Sequence, residues 1–384
     1  MSAALVLGAG ALAAWIYLLT GRGRFWMARE RDERDVPPAP AIWPSVVAII
    51  PARDEADVIG RAVGSLLGQE YPGRLDIVVV DDASSDGTAR QAAAAGPGAG
   101  ERLAVIRGRP LPKSWTGKLW AVSQGVEAAT IADPPDYLLI TDADIAHAPQ
   151  TLARLVRRAE SKRLVLVSLM ARLQVETWPE RLLIPAFVFF FDMLYPFAWV
   201  NDPRRATAAA AGGCMLVRRK ALERAGGVAA IRGEIIDDCA LAERLKAQGP
   251  IWLGLTESAR CLRPYRTFAQ IGAMVSRSAY AQLRYSPVLL AATVAGMALL
   301  YIAPPGLALF AAGRARWLGL AAWGLMAVSF QPMLRFYRRS PLWGPALPVI
   351  GLAYTAFTVW SALQVWRGRG GMWKGRSQAL AAPR

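Results

Sequence analysis

Tyr137-Leu138-Leu139-Ile140-Thr141-Asp142-Ala143-Asp144 is the stretch on which the reading of this chain turns. Four apolar residues predict a buried strand, and two carboxylates one residue apart stand where it ends. Oxygen ligands in this arrangement suit a hard cation such as Mg²⁺ or Mn²⁺, with a diphosphate completing the shell. An isolated Asp-X-Asp can equally be a polar strand end or a helix cap. Its surroundings decide.

Working outward, strands and helices alternate on both sides. Val46–Ile50, Ile77–Val80, Leu103–Ile106, Tyr137–Ile140 and Leu164–Leu169 read as buried strands. Val58–Leu67, Thr88–Ala95, Leu119–Ala129 and Gln150–Lys162 read as helices. This alternation predicts an α/β domain with a doubly wound, mostly parallel sheet over residues 45–265. Parallel strands end on one edge, where open α/β sheets bind ligands. Three strands end in acid there: Pro51-Ala52-Arg53-Asp54-Glu55, Asp81-Asp82-Ala83-Ser84-Ser85-Asp86-Gly87-Thr88, and Asp142-Ala143-Asp144. Chance acidic ends would scatter to both edges.

Each cluster suits part of a nucleotide. Asp81 or Asp82 can accept from a base N–H, while Ser84, Asp86, Gly87 and Thr88 make a turn that caps the next helix. Asp142 and Asp144 suit a ribose hydroxyl and a diphosphate-bound metal. Lys118, at an expected helix start, can meet phosphate, a carboxylate or only solvent. Gly212-Gly213, before an expected strand at Cys214–Val217, permits close backbone approach by a ligand. Asp237-Asp238 opens the expected helix Cys239–Gln248, where carboxylates suit the helix dipole; alternatively one of them is a general base for an attacking hydroxyl.

The rest of the chain is membrane-like. Over the whole 384-residue chain 54% of residues are hydrophobic, and the formal charge is +16. Residues 258–384 hold 15 Lys/Arg and no acid, whereas residues 1–257 hold 30 Lys/Arg against 29 Asp/Glu. The basic third is also the most apolar, which fits arginines at the ends of membrane helices rather than nucleic-acid binding. Residues 1–22 read as a transmembrane anchor. Residues 23–44 read as a basic juxtamembrane segment with a Pro-rich linker, which the positive-inside rule places in the cytoplasm. Residues 182–200, rich in Phe and broken by Pro185, Asp192 and Pro196, are read as a membrane-interface segment, and residues 266–285 as a second interfacial stretch. Val288–Ala312, Trp317–Leu334 and Leu342–Trp366 are three candidate spans within 286–366, followed by a basic tail over 367–384. Three crossings would put that tail outside, its charge argues for inside, and a re-entrant segment would reconcile the two. With one histidine, His147, a histidine-based site is not expected; it is assigned to the loop before Gln150. Cys214, Cys239 and Cys261 have no metal-like spacing and read as reduced thiols.

The ordered set Ile50-Pro51-Ala52-Arg53-Asp54-Glu55, Val80-Asp81-Asp82, Asp142-Ala143-Asp144, Gly212-Gly213-Cys214-Met215 and Asp237-Asp238-Cys239-Ala240-Leu241 resembles family 2 inverting glycosyltransferases with the GT-A fold. Pro112-Lys113-Ser114-Trp115-Thr116-Gly117-Lys118, the Phe-rich stretch and Trp373-Lys374-Gly375-Arg376 further resemble the hopene-associated glycosyltransferases of bacterial hopanoid gene clusters. The resemblance implies a multi-pass enzyme of the bacterial inner membrane, its catalytic domain facing the cytoplasm. It would move a sugar from a nucleotide-sugar, UDP-linked, to a lipid hydroxyl, with a hopanoid as acceptor and Mg²⁺ or Mn²⁺ as cofactor. Asp82 would read the base, supported by Asp54 and Glu55, with Pro51, Arg53 and Asp81 in the same pocket. Asp144 would bind metal and Asp142 the ribose side or the metal. Asp238 would be the base, paired with Asp237 where the family has Glu. Lys118, Gly212 and Gly213 would complete the donor site, and Arg277 or Arg284 would neutralise the leaving diphosphate. The Gln-X-X-Arg-Trp signature of processive relatives is replaced by Tyr280-Ala281-Gln282-Leu283-Arg284-Tyr285, which argues against a polysaccharide synthase. Polyprenyl phosphate, a glycerolipid or a polysaccharide as acceptor, and a non-catalytic scaffold, stand as the other readings.

Overall fold

The computed structural model describes residues 2–96, 100–131, 133–373 and 376–377. The Lys374-Gly375 part of the tail motif and residues 378–384 of the basic tail lie outside them. Eight strands form one sheet: β1 (Val46–Ala52), β2 (Leu75–Asp81), β3 (Leu103–Arg107), β4 (Tyr137–Thr141), β5 (Ile145–His147), β6 (Leu166–Arg172), β7 (Cys214–Arg218) and β8 (Ile251–Cys261), in the order β3-β2-β1-β4-β7-β6-β8-β5. β1 pairs in parallel with β2 and β4, β2 with β3, and β6 with β8. β7 runs antiparallel between β4 and β6, and β5 antiparallel to β8. This is the GT-A arrangement: a mixed, mostly parallel sheet.

β-branched and aliphatic residues covered on both faces explain why β1 is buried throughout. Val46, Ala48 and Ile50 face a core shared with Ile59, Val63, Leu152 and Leu155, from the helices Ala56–Leu67 and Thr151–Ser161. Val47 and Ile49 face the other core, shared with Leu119 and Val122 of the helix Gly117–Thr130. That second core runs on without a break into Phe189, Phe330, Met333, Ile350 and Tyr354. The sheet and the apolar helices therefore share one hydrophobic interior.

Among the described residues, four helices are long and apolar enough to cross a membrane: Ala3–Gly21, Pro287–Phe310, Gly313–Phe336 and Pro341–Trp366. The Phe-rich stretch is a helix, Trp178–Leu194, and it is mostly enclosed by protein. Phe189 packs on Phe330, Phe190 on Tyr354, and the Tyr354 hydroxyl donates to the Leu183 carbonyl at 2.9 Å. Its aromatic content is thus largely accounted for by packing between the sheet and the apolar helices. The juxtamembrane segment is joined to the sheet by main-chain bonds. The Asp32 N–H donates to the Leu255 carbonyl and the Leu255 N–H to the Glu30 carbonyl, so residues 30–32 line the edge of β8.

In the eight-stranded sheet two strands lie where no strand was expected. β8 is the 11-residue strand Ile251–Cys261. β5 holds His147, which pairs with Ala259 and is not in a loop. His147 Nε2 meets the Thr141 hydroxyl at 3.0 Å, and burial pushes its imidazole down to about 4, so it stays neutral.

Candidate active site

The edge where β1, β2, β4, β6 and β8 end carries the chemistry. β7 runs the other way, so the residues before its start, Gly212 and Gly213, arrive at this same edge. A cleft of about 340 Å³ opens there. Pro51, Glu55, Lys118, Asp142, Asp144, Gly212, Gly213, Asp237 and Asp238 line it. Arg277 lines it as well.

Lys118 joins two motifs that are far apart in sequence. The Thr116 hydroxyl caps its helix by accepting from the Leu119 N–H. The ammonium lies 3.0 Å from Asp142 Oδ1 and 3.1 Å from Asp237 Oδ2. Burial alone would pull this ammonium down, but Asp142, Asp237 and Asp238 outweigh it and hold it above its ordinary value. Asp238 is held by backbone: Oδ2 accepts from the Gly212 N–H at 2.9 Å and Oδ1 from the Cys239 N–H at 2.8 Å. Burial, then the neighbouring Asp237, pushes its carboxyl up to about 6, against the lowering pull of Lys118. Asp142 is likewise raised by burial, with Lys118 opposing. Gly212 lets these side chains close in without shifting. A Cβ there would sit 3.2 Å from Lys118 Nζ and 3.4 Å from Asp238 Oδ2.

The β1 and β2 ends are laced together next to the cleft. Arg53 lies 3.6 Å from Asp82 Oδ2 and donates to the Asp82 carbonyl at 2.5 Å. The Asp54 N–H donates to the Ser84 hydroxyl, and the Ser85 N–H to Asp54 Oδ1. Asp54 and Ala83 both adopt positive φ, +50° and +53°, a conformation that these bonds help to maintain. Asp86 caps its helix by accepting from the Thr88 N–H and also accepts from the Ala56 N–H. Asp81 and Asp82 are buried. Arg53, Asp54, Asp81 and Asp82 do not themselves line the cleft, and neither does Arg284, which is exposed in a turn with φ +51°. The short helix Ala279–Gln282 ends just before it, whereas Arg277 lines the cleft.

Arg263 was not foreseen. It follows β8 and pairs with both Glu55 and Asp144, the latter at 3.3 Å. The Arg-Pro pair after Cys261 is a weak signal without knowledge of β8. The lining also has apolar side chains: Phe187 and Phe191, one helical turn apart, with Met170, Leu173 and Met274. Met274 lies on the helix Phe268–Ser276, which packs on the membrane-type helix Leu347–Trp366.

Asp144 offers a hard oxygen donor at the cleft, its side chain 18% exposed. Among the described residues no three His, Cys, Asp or Glu side chains gather into a closed metal cage. One or two carboxylates with room for substrate oxygens is the donor set that suits Mg²⁺ or Mn²⁺ bound together with a diphosphate, so the residues fit such an ion.

The family model for glycosyl transferase family 2 matches residues 47–226. Residues 47–226 are thus similar to a glycosyl transferase family 2 domain. The match spans β1 to β7 and so includes the Asp-X-Asp motif and the paired glycines, whereas the Asp237-Asp238 helix, β8 and Arg263 follow it. Curated relatives named N-acetylglucosaminyltransferase are 30% identical over 195 residues in Mesorhizobium japonicum, covering 48% of this chain and 42% of the relative. One from Rhizobium leguminosarum biovar viciae is 30% identical over 188 residues, covering 47% and 40%. The matched region is therefore less than half the length of those relatives. Among solved structures, the mannosyltransferase PcManGT from Pyrobaculum calidifontis, in complex with GDP-Man and Mn²⁺, superposes with a TM-score of 0.55 at 19% identity. That superposition covers 94% of this chain and 98% of the other, and it shows a shared fold that extends beyond the residues the family model matches.

Proposed function

We propose that this chain is a membrane glycosyltransferase that moves one sugar from a nucleotide-sugar, UDP-linked, to a lipid hydroxyl with inversion at the anomeric carbon. The carrying observation is Asp238. It is a carboxyl gripped by two backbone N–H groups and poised near pH 6, in a cleft lined by both charged and apolar side chains. A base poised near working pH is the requirement for taking a proton from an attacking hydroxyl. The acceptor O–H gives its proton to Asp238 as the oxygen bonds to the anomeric carbon, and the bond from that carbon to the diphosphate breaks. Lys118 and Gly212 hold the base in place. Asp82, Asp54 and Glu55 frame the nucleotide end, and Asp142 lies on the ribose side. A divalent cation on Asp144 would offset charge on the departing diphosphate. Arg277, which also lines the cleft, would meet the same charge.

The apolar lining of Phe187, Phe191 and Met274, continuous with the membrane-type helices, favours a lipid acceptor over a soluble one. The resemblance in the Trp115–Lys118 region and the Phe-rich helix supports a hopanoid, in a bacterial inner membrane with the catalytic domain in the cytoplasm. The relatives' names make N-acetylglucosamine the first sugar to try. Membranes carrying the chain, incubated with a panel of labelled nucleotide-sugars, should yield one labelled lipid, and Asp238→Asn should abolish it. A labelled polyprenyl phosphate in place of a hopanoid would replace the acceptor. If no lipid is labelled with any donor, the non-catalytic scaffold stands instead.

A further inference from the structure

Two cations stand among the carboxylates of the cleft, and the second is placed by main-chain pairing. Ile145 pairs with Cys261 between β5 and β8, and the Leu262 N–H donates to the Asp144 carbonyl at 2.7 Å. Arg263 is the next residue. Pro264 follows it and biases its backbone to an extended form. From there Arg263 Nε lies 3.3 Å from Asp144 Oδ2, and its terminal nitrogen pairs with Glu55. The Cys261 thiol faces the same Oδ2 at 3.7 Å. Arg263 is 36% exposed towards the cleft, while Asp144 is 18% and Glu55 11% exposed. The guanidinium thus lies across the carboxylate that a cation would need.

We infer that Arg263 is a built-in counter-ion that occupies the cation position of Asp144 until a nucleoside diphosphate arrives, so that metal and nucleotide bind together rather than separately. This rests on the reading of Asp144 as the metal carboxylate. Arg263 cannot neutralise itself by losing a proton, because a guanidinium stays charged at any pH the protein survives. A divalent ion approaching alone meets a fixed positive charge and must compete with it for one oxygen. A diphosphate changes the balance: its oxygens accept from the guanidinium fork while also completing the ion's shell. Glu55 keeps the displaced side chain tethered to the β1 end. Arg263 is then a positioning residue that couples the two ligands.

The test uses the full-length protein in detergent and reads free Mn²⁺ by its electron paramagnetic resonance signal, with no turnover required. Wild type should bind Mn²⁺ weakly alone and tightly with UDP or GDP. Arg263→Gln should bind Mn²⁺ alone roughly tenfold more tightly, the scale expected from removing one partly buried charge beside the site. Arg263→Lys keeps the charge and should stay weak, which separates loss of charge from loss of packing. The inference is overturned if Arg263→Gln binds Mn²⁺ alone no better than wild type, or if the Gln and Lys variants bind it equally. Asp144→Asn in the wild-type background tells the two failures apart. If it leaves Mn²⁺ binding with UDP and GDP unchanged, the metal reading itself is lost.

Discussion

Removing the Lys118 ammonium should move the acid limb of the pH–rate profile upward. Lys118→Met deletes the charge that bridges Asp142 and Asp237. Lys118 Nζ and Asp238 Oδ2 lie 3.2 and 3.4 Å from one point, the site of a Cβ on Gly212, and so are no more than about 6.6 Å apart. At that limit two unit charges interact by about 2.5 kcal/mol at an effective dielectric of ~20, nearly two pK units. Lys118 is 18% exposed and shares its charge with two other carboxylates. Halving the figure for that screening leaves roughly one unit. The sign follows from the role. Asp238 must be ionised to accept a proton, Lys118 favours the ionised form, and losing Lys118 raises the carboxyl above its present value of about 6. Wild-type kcat/KM should therefore fall below about pH 6, and the variant's should fall from about pH 7. Initial rates of labelled-lipid formation between pH 5 and 9, with saturating metal and donor, measure this. Lys118→Arg should restore the wild-type limb. An active Lys118→Met enzyme whose limb stays put, or moves down, would refute the assignment of Lys118 as the charge that sets Asp238.

Phe187→Ala with Phe191→Ala should raise the KM for the lipid acceptor several-fold and leave the donor KM unchanged, as two-substrate kinetics in mixed micelles will show. Gly125→Ala should destabilise the protein by about 1–3 kcal/mol, because its Cβ would meet Ile49 Cγ2 at 2.4 Å where the helix crosses β1; thermal unfolding reads this. Arg277→Ala should reduce kcat whereas Arg284→Ala should not, since Arg277 lines the cleft and Arg284 does not. Tyr354→Phe should lower stability by about 1 kcal/mol through loss of its bond to the Leu183 carbonyl, without altering donor binding.

Much of the donor side was legible in the chain. Val46–Ile50, Ile77–Val80 and Tyr137–Ile140 are apolar runs long enough to be buried strands, and parallel pairing sends their acidic ends to one edge whatever the details of packing. That logic rests on local composition and on the handedness of crossovers, both of which act over short separations. It also brought out Asp142, Asp144, Asp237 and Asp238 as candidates, because carboxylates at strand ends and helix starts need no tertiary knowledge to be noticed.

What the chain could not disclose is who neutralises those carboxylates. Lys118 read equally as a surface residue, and only the fold brings its ammonium between Asp142 and Asp237, 24 and 119 residues further along. Arg263 lies 119 residues beyond Asp144 and meets it because β5 pairs with β8. β8 itself went unread, since Ile251–Cys261 mixes Gly, Thr, Glu, Ser and Arg into its apolar pattern and is buried by its neighbours rather than by its own hydrophobicity. The Phe-rich helix went the other way: its composition suggested lipid, and protein covers most of it. Strand ends are decided by short-range periodicity. Charge pairing and burial are decided by long-range register, and that exists only once the sheet has closed.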